Sequence, residues 1–228
     1  MNLIVAKDYE EMSRIAAMEL MQWIVKGKTL RVNLAITAGK TPERMYEIMT
    51  EYLESGTFED VHYYNFDEIP TKDGRHITID DLNRLFFVPN RIPEHQIERF
   101  TEHNYEGYDE KIRLDGGLDL IVMGLGTDGH FCGNLPGTFA DFAQGCRHVF
   151  RDFEGISDEY VTFGPATVME ARNLLLIVNG FHKAEILKKM IEGPVTVDVP
   201  ASVLKLHPNF TIVADQEAVS MLDGINIK

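Results

Sequence analysis

The sequence has 228 residues, 44% of them hydrophobic and 25% charged, which suits one globular α/β domain over residues 1–228. Its formal net charge of -14 disfavours nucleic acid and anionic membranes as partners, because the mean field repels polyanions. No run approaches the roughly 20 apolar residues of a membrane span, and the first residues lack the apolar region of a signal peptide. Cys132 and Cys146, the only cysteines, are too few for a disulfide framework, so we expect a cytoplasmic protein.

Short apolar runs predict the strands of a parallel sheet. Residues 118–123 form an almost uninterrupted apolar run, which suits a strand buried on both faces. Residues 30–36 alternate in the pattern of a strand that leads into a turn. The predicted strands are residues 2–6, 30–36, 61–66, 118–123, 160–163, 174–178 and 210–213.

Helices are predicted between these strands. The first begins after Asp8 and stops at Gly27, and the second has Thr41 as its N-cap and ends at Gly56. Strands that alternate with helices indicate the α/β class. The other predicted helices are one capped by Thr78 and those over residues 104–113, 165–171, 182–192, 198–206 and 215–222.

Residues 37–42 (TAGKTP), here called the glycine loop, join the second strand to the second helix. Unpaired backbone N–H groups and the positive end of the helix dipole converge at such a turn, so it is suited to phosphate, and Lys40 would add a cation. A glycine before a capped helix is also common in ordinary βα units, and both readings stay open here. The loop lacks the first glycine of a Walker A motif.

Two carboxylates, Asp67 and Glu68, follow the strand at residues 61–66. Adjacent residues point in opposite directions, so we expect only one of them to face a pocket. Asp67, directly past the strand, is the better candidate for a base. A solvated acidic turn before Pro70 is the alternative interpretation.

Residues 124–130 (GLGTDGH), here called the histidine loop, follow the most apolar strand. Active sites of open α/β sheets lie beyond the carboxyl ends of strands. The carboxylate of Asp128 would orient the imidazole of His130, so the pair is a candidate for general acid–base catalysis. The loop matches the GxGxxG dinucleotide pattern by letter, but it opens no helix and no acidic strand end follows at the required distance. The set Asp128, His130 and Cys132 lacks the spacing of a metal site, so neither metal nor cofactor is expected.

Three cations remain as candidate anion ligands. Arg147 and Arg151 lie in a segment over residues 137–159 that has no clear periodicity and suits a lid or active-site loop. Lys183 lies in a predicted first helical turn, where the dipole is unfavourable to a cation. It is therefore either flexible surface or placed to meet an anion.

These motifs resemble those of the glucosamine-6-phosphate deaminase and 6-phosphogluconolactonase superfamily. The glycine loop looks like its TGSTP phosphate loop, residues 65–68 (NFDE) like its N(M/L)DE motif, and the histidine loop like its GxGxDGH signature. Residues 201–209 (ASVLKLHPN) are similar to a deaminase segment, ASxLQLHP, that lactonases generally lack. The resemblance covers nearly the whole chain and implies a three-layer α/β/α sandwich with a modified Rossmann-like, mostly parallel sheet.

The resemblance implies an isomerase or deaminase that acts on an amino-sugar 6-phosphate without metal or organic cofactor. Asp67 would move a proton between C1 and C2 of the open-chain sugar. His130, oriented by Asp128, would open the pyranose ring by moving a proton at the ring oxygen. The residues implied to hold the substrate and its phosphate are Thr37, Ala38, Gly39, Lys40, Thr41, Gly126, Lys183, which matches the lysine of the family's GxxKA segment, and Arg151, with Arg147 as its alternative.

Two residues depart from the family pattern. The deaminases carry a glutamate five residues beyond the histidine, where this chain has Leu135, and Lys40 replaces a serine. Leucine cannot titrate, which favours the lactonase alternative, in which His130 would activate water, or an isomerase with altered ring opening. Glucosamine 6-phosphate and galactosamine 6-phosphate are both candidate substrates, and a sugar-phosphate-binding regulator is a third reading. The chain is shorter than the hexameric deaminases, so a homo-oligomer stays open.

Overall fold

The computed structural model describes residues 1–53, 59–152 and 156–224. The strands are β1 (Asn2–Ala6), β2 (Val32–Ile36), β3 (Val61–Asn65), β4 (Asp67–Glu68), β5 (Ile97–Glu98), β6 (Leu120–Gly124), β7 (Arg147–Val149), β8 (Tyr160–Thr162), β9 (Leu174–Val178) and β10 (Phe210–Asp215). The α-helices are α1 (Tyr9–Lys26), α2 (Glu43–Tyr52), α3 (Ile77–Leu82), α4 (Tyr108–Leu114), α5 (Pro165–Met169) and α6 (Ala184–Glu192). A π-helical turn (Asn83–Phe87) continues α3, and 3-10 helices cover Glu94–Gln96, Phe181–Lys183 and Pro200–Leu206.

Seven strands form one parallel sheet in the order β1-β10-β9-β6-β2-β3-β5. The central strands are buried on both faces because alternate residues enter two separate cores. In β6, Leu120 and Val122 pack into one core, whereas Ile121 and Met123 pack into the other. This two-sided burial explains the apolar run in the sequence and confirms the predicted parallel sheet.

Helices cover both faces of the sheet. One core receives buried residues of α1, α2 and α3, including Leu20 and Met49. The other receives residues of α4, α5 and α6, including Val168 and Leu187. The predicted three-layer α/β/α sandwich is therefore confirmed. Among the described residues, no helix combines the length and apolar character needed to cross a membrane.

The parallel arrangement brings the carboxyl ends of the strands to one edge of the sheet. β2 leads into the glycine loop, β6 into the histidine loop, and β9 into the short helix Phe181–Lys183. A second, antiparallel sheet of order β4-β8-β7 holds Asp67 next to Thr162 at this edge. The fold thus gathers the predicted site residues from distant parts of the chain.

Two predicted N-caps, Thr41 and Thr78, are wrong because other hydrogen bonds replace the predicted ones. α2 begins at Glu43 after Pro42, and the N–H of Arg44, which a Thr41 cap would bind, donates to the Tyr9 hydroxyl instead. α3 begins at Ile77, and the hydroxyl of Thr78 donates to Asp67 instead of capping the helix.

The helix predicted over residues 104–113 begins later, at Tyr108. The Asn104 side chain accepts from the N–H of Thr101 and donates to the carbonyl of Arg99, which forms a turn. Gly107 then has a left-handed φ of 76°, so a regular helix cannot extend upstream of it.

The last two predicted helices are not α-helices. Residues 198–206 contain instead the 3-10 helix Pro200–Leu206, since Pro200 has no N–H and Ala201 donates its N–H to Gly129 of the histidine loop. Residues 215–222 form successive turns, anchored by the Asp215 carboxylate, which accepts the N–H groups of Gly180 and Ala218.

The segment over residues 137–159 is only partly a loop. Its residues Arg147–Val149 form β7, paired antiparallel with β8, so part of the predicted lid belongs to the small sheet. Residues 153–155 of that segment, and Gly56 as the predicted end of α2, lie outside the described residues.

Candidate active site

A cleft of about 440 Å³ opens at the carboxyl edge of the large sheet. Its walls come from the glycine loop, β4, the start of α3, the histidine loop and the helix Phe181–Lys183. It brings together nine of the eleven predicted site residues: Thr37, Ala38, Gly39, Lys40, Thr41, Asp67, Gly126, His130 and Lys183. The tenth, Asp128, bonds His130 directly.

The glycine loop is held from both of its ends. The Tyr9 hydroxyl lies 3.2 Å from the carbonyl oxygens of both Lys40 and Thr41, and the buried Tyr46 hydroxyl donates to the Thr37 carbonyl at 2.7 Å. Gly39 has a backbone φ of 92°, which residues with a Cβ rarely adopt. The loop precedes the ten-residue helix α2, so its N–H groups and the helix dipole favour an anion, and Lys40 is exposed.

Asp67 is a carboxylate placed where its proton affinity is altered. Burial raises the pKa of Asp67 to about 6, and the hydrogen bond from Thr78 and the charge of His130 oppose that rise. The Thr78 hydroxyl lies 3.1 Å from Asp67 Oδ1. A carboxylate with a pKa near the working pH can both accept and return a proton.

Glu68, the neighbouring carboxylate, has a different environment. It is fully buried and accepts the backbone N–H groups of Ile69, Thr78 and Ile79 at 3.0, 2.7 and 3.1 Å. Burial nevertheless raises the pKa of Glu68 to about 7, against these hydrogen bonds. Of the two carboxylates, Asp67 lines the cleft, whereas Glu68 fixes the start of α3.

Asp128 and His130 form a close pair within the histidine loop. Asp128 Oδ1 lies 2.6 Å from His130 Nδ1 and also accepts the His130 backbone N–H at 3.1 Å. The hydrogen bond to the imidazole lowers the pKa of Asp128 to about 2. An ionised carboxylate only accepts, which assigns the hydrogen to Nδ1 and leaves Nε2 for proton exchange with a ligand.

Gly126 makes this pair possible. A Cβ at Gly126 would lie 2.1 Å from His130 Nδ1 and 2.6 Å from Asp128 Oδ1, closer than real Cβ contacts. The glycine therefore leaves room for the imidazole to lie against the backbone. Its N–H donates to the His130 carbonyl at 2.8 Å, which closes the loop.

Lys183 reaches the cleft from the far side of the histidine loop. Its Nζ donates to the Leu125 carbonyl at 2.5 Å. Burial lowers the pKa of Lys183, and the charge of Asp128 opposes this. Gly180, with a φ of 85°, starts the turn that carries Lys183, and its N–H is held by Asp215.

The two arginines of the predicted lid do not line the cleft. Arg147 donates to the Thr138 carbonyl at 2.8 Å and to Asn134 Oδ1 at 2.9 Å, and Arg151 donates to the Pro136 carbonyl at 3.2 Å. Both guanidinium groups therefore brace the segment that contains Leu135.

Sequence reasoning missed two cleft residues that come from α3, Thr78 as a partner of Asp67 and Asp81 as a partner of the glycine loop. They lie 11 and 42 residues from those partners, and no local pattern reports such contacts. Within residues 1–53, 59–152 and 156–224, no group of three or more His, Cys, Asp or Glu side chains is arranged to hold a metal ion.

Residues 7–213 match the family described as "Glucosamine-6-phosphate isomerases/6-phosphogluconolactonase", and the chain belongs to this enzyme family. Two relatives that are similar in sequence are glucosamine-6-phosphate deaminases. The chain is 32% identical to a glucosamine-6-phosphate deaminase of Clostridium perfringens, over 97% of this chain and 100% of that protein. It is 34% identical to the glucosamine-6-phosphate deaminase of Geobacillus sp., over 97% of this chain and 96% of that protein.

Solved structures give the same picture of the fold. A monomeric glucosamine-6-phosphate deaminase superposes with a TM-score of 0.83 and 26% identity, over 97% of this chain and 100% of that chain. A 6-phosphogluconolactonase from Trypanosoma cruzi superposes with a TM-score of 0.81 and 20% identity, over 97% of both chains. The α/β/α fold is thus shared by both branches of the family.

Proposed function

We propose that this protein is an amino-sugar 6-phosphate deaminase that converts glucosamine 6-phosphate and water into a ketose 6-phosphate and ammonia. The observation that carries the proposal is the meeting of Asp67, the Asp128–His130 pair and the glycine loop in one cleft. An enolising enzyme needs a base beside C1 and C2, a proton donor for the ring oxygen and an anchor for the phosphate. The similarity to full-length deaminases supports the same assignment.

In this scheme the glycine loop holds the phosphate end of the substrate. The N–H groups of the glycine loop, with Lys40 and Lys183, supply hydrogen bonds and positive charge. Anchoring the phosphate fixes the distance of the sugar carbons from Asp67 and His130, so that the later proton transfers occur within one complex.

His130 catalyses the opening of the sugar ring. With its Nδ1 hydrogen held by Asp128, Nε2 takes the proton from the C1 hydroxyl and returns it to the ring oxygen. The low pKa of Asp128 keeps it ionised throughout, so it stabilises the imidazolium that forms in between.

Asp67 catalyses the isomerisation. As a carboxylate it removes the C2 proton of the open-chain aldehyde and returns it to C1, while a proton passes from the amino group to the C1 oxygen, which leaves a hydroxyl at C1 and an imine at C2. Water then adds to the imine and ammonia leaves. The pKa of Asp67, near 6, lets the same group act as base and then as acid at neutral pH.

A lactone hydrolase is the second candidate, and Leu135 favours it. Leucine at this position offers His130 no second carboxylate, and hydrolysis of a lactone needs only an activated water. In that reaction the phosphate anchor and His130 keep their places, whereas Asp67 loses its role as the enolising base.

The deciding experiment is a coupled assay of the purified chain on glucosamine 6-phosphate and galactosamine 6-phosphate. Ammonia and ketose phosphate are measured together, and hydrolysis of 6-phosphogluconolactone is followed in parallel. We expect equal amounts of ammonia and ketose phosphate from at least one amino sugar. Rapid loss of the lactone without any ammonia would overturn the proposal in favour of the hydrolase.

A further inference from the structure

A carboxylate occupies one N–H group of the glycine loop. Asp81 Oδ2 accepts the backbone N–H of Gly39 at 3.0 Å. Asp81 Oδ1 accepts from Arg84, at 2.6 Å from its terminal nitrogen and 3.2 Å from Nε. Asp81 therefore bridges a loop N–H and a guanidinium in the way that a phosphate group would, since both anions present two oxygens to such donors.

The balance of charges that line the cleft determines how this contact affects the binding of an anion. Two cations, Lys40 and Lys183, face two carboxylates, Asp67 and Asp81, so these formal charges cancel. A phosphate that enters beside Asp81 meets a like charge, which costs affinity. Arg84 is more than half exposed, and it is connected to Gly39 through Asp81, whose carboxylate contacts both residues.

The backbone that carries Arg84 is well anchored. Arg84 lies in the π-helical turn Asn83–Phe87, and Phe86 and Phe87 of that turn are buried in the core beneath it. Short π-helical turns occur frequently at functional sites. The second contact of Arg84, to Glu43 at 3.3 Å, keeps the guanidinium at the start of α2, which follows the glycine loop.

We propose that Asp81 is an internal substitute for the substrate phosphate and that Arg84 is a phosphate-binding residue. On binding, phosphate oxygens replace the Asp81 carboxylate on the Gly39 N–H and on Arg84, and Asp81 turns away. Asp81 then sets the affinity of the cleft by competition. Arg84, which contacts Asp81 without itself lining the cleft, supplies a guanidinium to a phosphate that takes the place of the Asp81 carboxylate. The inference rests on the proposed function for the identity of the phosphate ester, but not for the binding of phosphate itself.

The test is calorimetric titration of the full chain with inorganic phosphate. Relative to the unmodified chain, Asp81→Asn is expected to bind phosphate about 5- to 10-fold more tightly, and Arg84→Gln about 10-fold more weakly, the size expected for a charge-assisted hydrogen bond. The double variant is expected to bind more weakly than Asp81→Asn alone, because the guanidinium contacts phosphate directly.

Matched controls come from α4, where Glu110 and Arg113 form the same i,i+3 ion pair at 3.1 Å on the surface. Glu110→Gln and Arg113→Gln change the net charge by the same amounts and are expected to leave phosphate affinity within about twofold, as screened surface charges do. Weaker binding by Asp81→Asn would show that Asp81 supports the loop and would overturn the proposal. So would an Arg84→Gln variant that matches Arg113→Gln, or an unmodified chain that binds no phosphate.

The same variants separate this inference from the proposed function. If the chain releases no ammonia but the phosphate affinities follow the expected order, the deaminase proposal fails and the inference stands. If the chain deaminates and KM for the sugar phosphate is the same in Asp81→Asn, Arg84→Gln and the controls, the inference fails and the deaminase proposal stands.

Discussion

Replacing Gly126 by alanine tests whether the contact between Asp128 and His130 drives the proposed ring opening. The new Cβ would lie 2.1 Å from His130 Nδ1, and ordinary van der Waals contact begins at 3.4 Å. The ring must therefore retreat by about 1.3 Å, the difference between these two distances. A hydrogen bond of 2.6 Å cannot survive that displacement in its present geometry.

Gly126→Ala is expected to lower kcat on the amino-sugar phosphate by roughly 100-fold or more, because general acid–base catalysis accelerates such reactions by about 10²–10⁴-fold. The pKa of Asp128, measured by carbon NMR of its carboxyl group, is expected to rise from about 2 toward its ordinary value, since the imidazole no longer donates to it. KM is expected to change little, because the glycine loop is untouched.

Gly124→Ala is the matched control, because a Cβ at Gly124, in the same loop, would meet no atom of the described residues within 4 Å. It is expected to keep both the pKa of Asp128 and the thermal midpoint of unfolding. If Gly126→Ala retained kcat while the pKa of Asp128 rose, the Asp128–His130 bond would be unnecessary for turnover and the proposed ring-opening step would be refuted.

Three further predictions concern charged residues of the site. Asp67→Asn is expected to lower kcat for isomerisation by roughly 10²–10⁴, and in the unmodified enzyme kcat/KM should fall as pH drops through about 6, where Asp67 becomes protonated; a variant with full activity would exclude Asp67 as the base. Glu68→Gln leaves buried N–H groups poorly paired and should lower the free energy of unfolding by about 2–4 kcal/mol in urea titrations. The pKa of Glu68 is about 7 in the folded protein, above its ordinary value of 4.5, so between these pH values the folded state binds a proton that the unfolded state has released. The contribution of Glu68 to the free energy of unfolding is therefore full below pH 4.5 and is lost as pH rises toward 7. This dependence of stability on pH should be absent in Glu68→Gln. Lys183→Met should raise KM roughly 10- to 100-fold with little change in kcat if Lys183 binds phosphate, and an unchanged KM would remove it from the site.

The parts of the site that sequence reasoning located share one property, which is that a strand and its following loop are adjacent in the chain. The apolar run of β6 predicts a buried strand, and a buried parallel strand places its next residues at the carboxyl edge of the sheet. The histidine loop and the glycine loop follow from this rule. The meeting of Gly126 with His130 is local as well, and only the absence of a Cβ permits it.

The missed features depend on contacts between distant parts of the chain. Asp81 is 42 residues from Gly39, and its carboxylate competes for a loop N–H group that local patterns treat as available. β7 exists because residues 147–149 pair with β8, although the segment has no strand pattern of its own. The turns after Asp215 begin like a capped helix, because the Asp215 side chain accepts the N–H of Ala218, but Ser220 and Leu222 then donate to carbonyls only three residues back. The same carboxylate also accepts the N–H of Gly180, 35 residues away.

The bracing of the segment around Leu135 connects the departures from the family pattern to each other. Asn134 is fully buried, donates to the Phe163 carbonyl at 2.9 Å and accepts from Arg147, so this segment is tied to the small sheet by amide and guanidinium contacts. The Arg147 guanidinium also donates to the Thr138 carbonyl, so its hydrogen bonds serve to support this segment, and it is not among the residues that line the cleft. If the cleft binds phosphate as proposed, the positive charge must come from elements other than this arginine. Lys40, in place of the family's serine, lines the cleft, and Arg84 contacts Asp81, which accepts the Gly39 N–H, so we propose these two cations as its source.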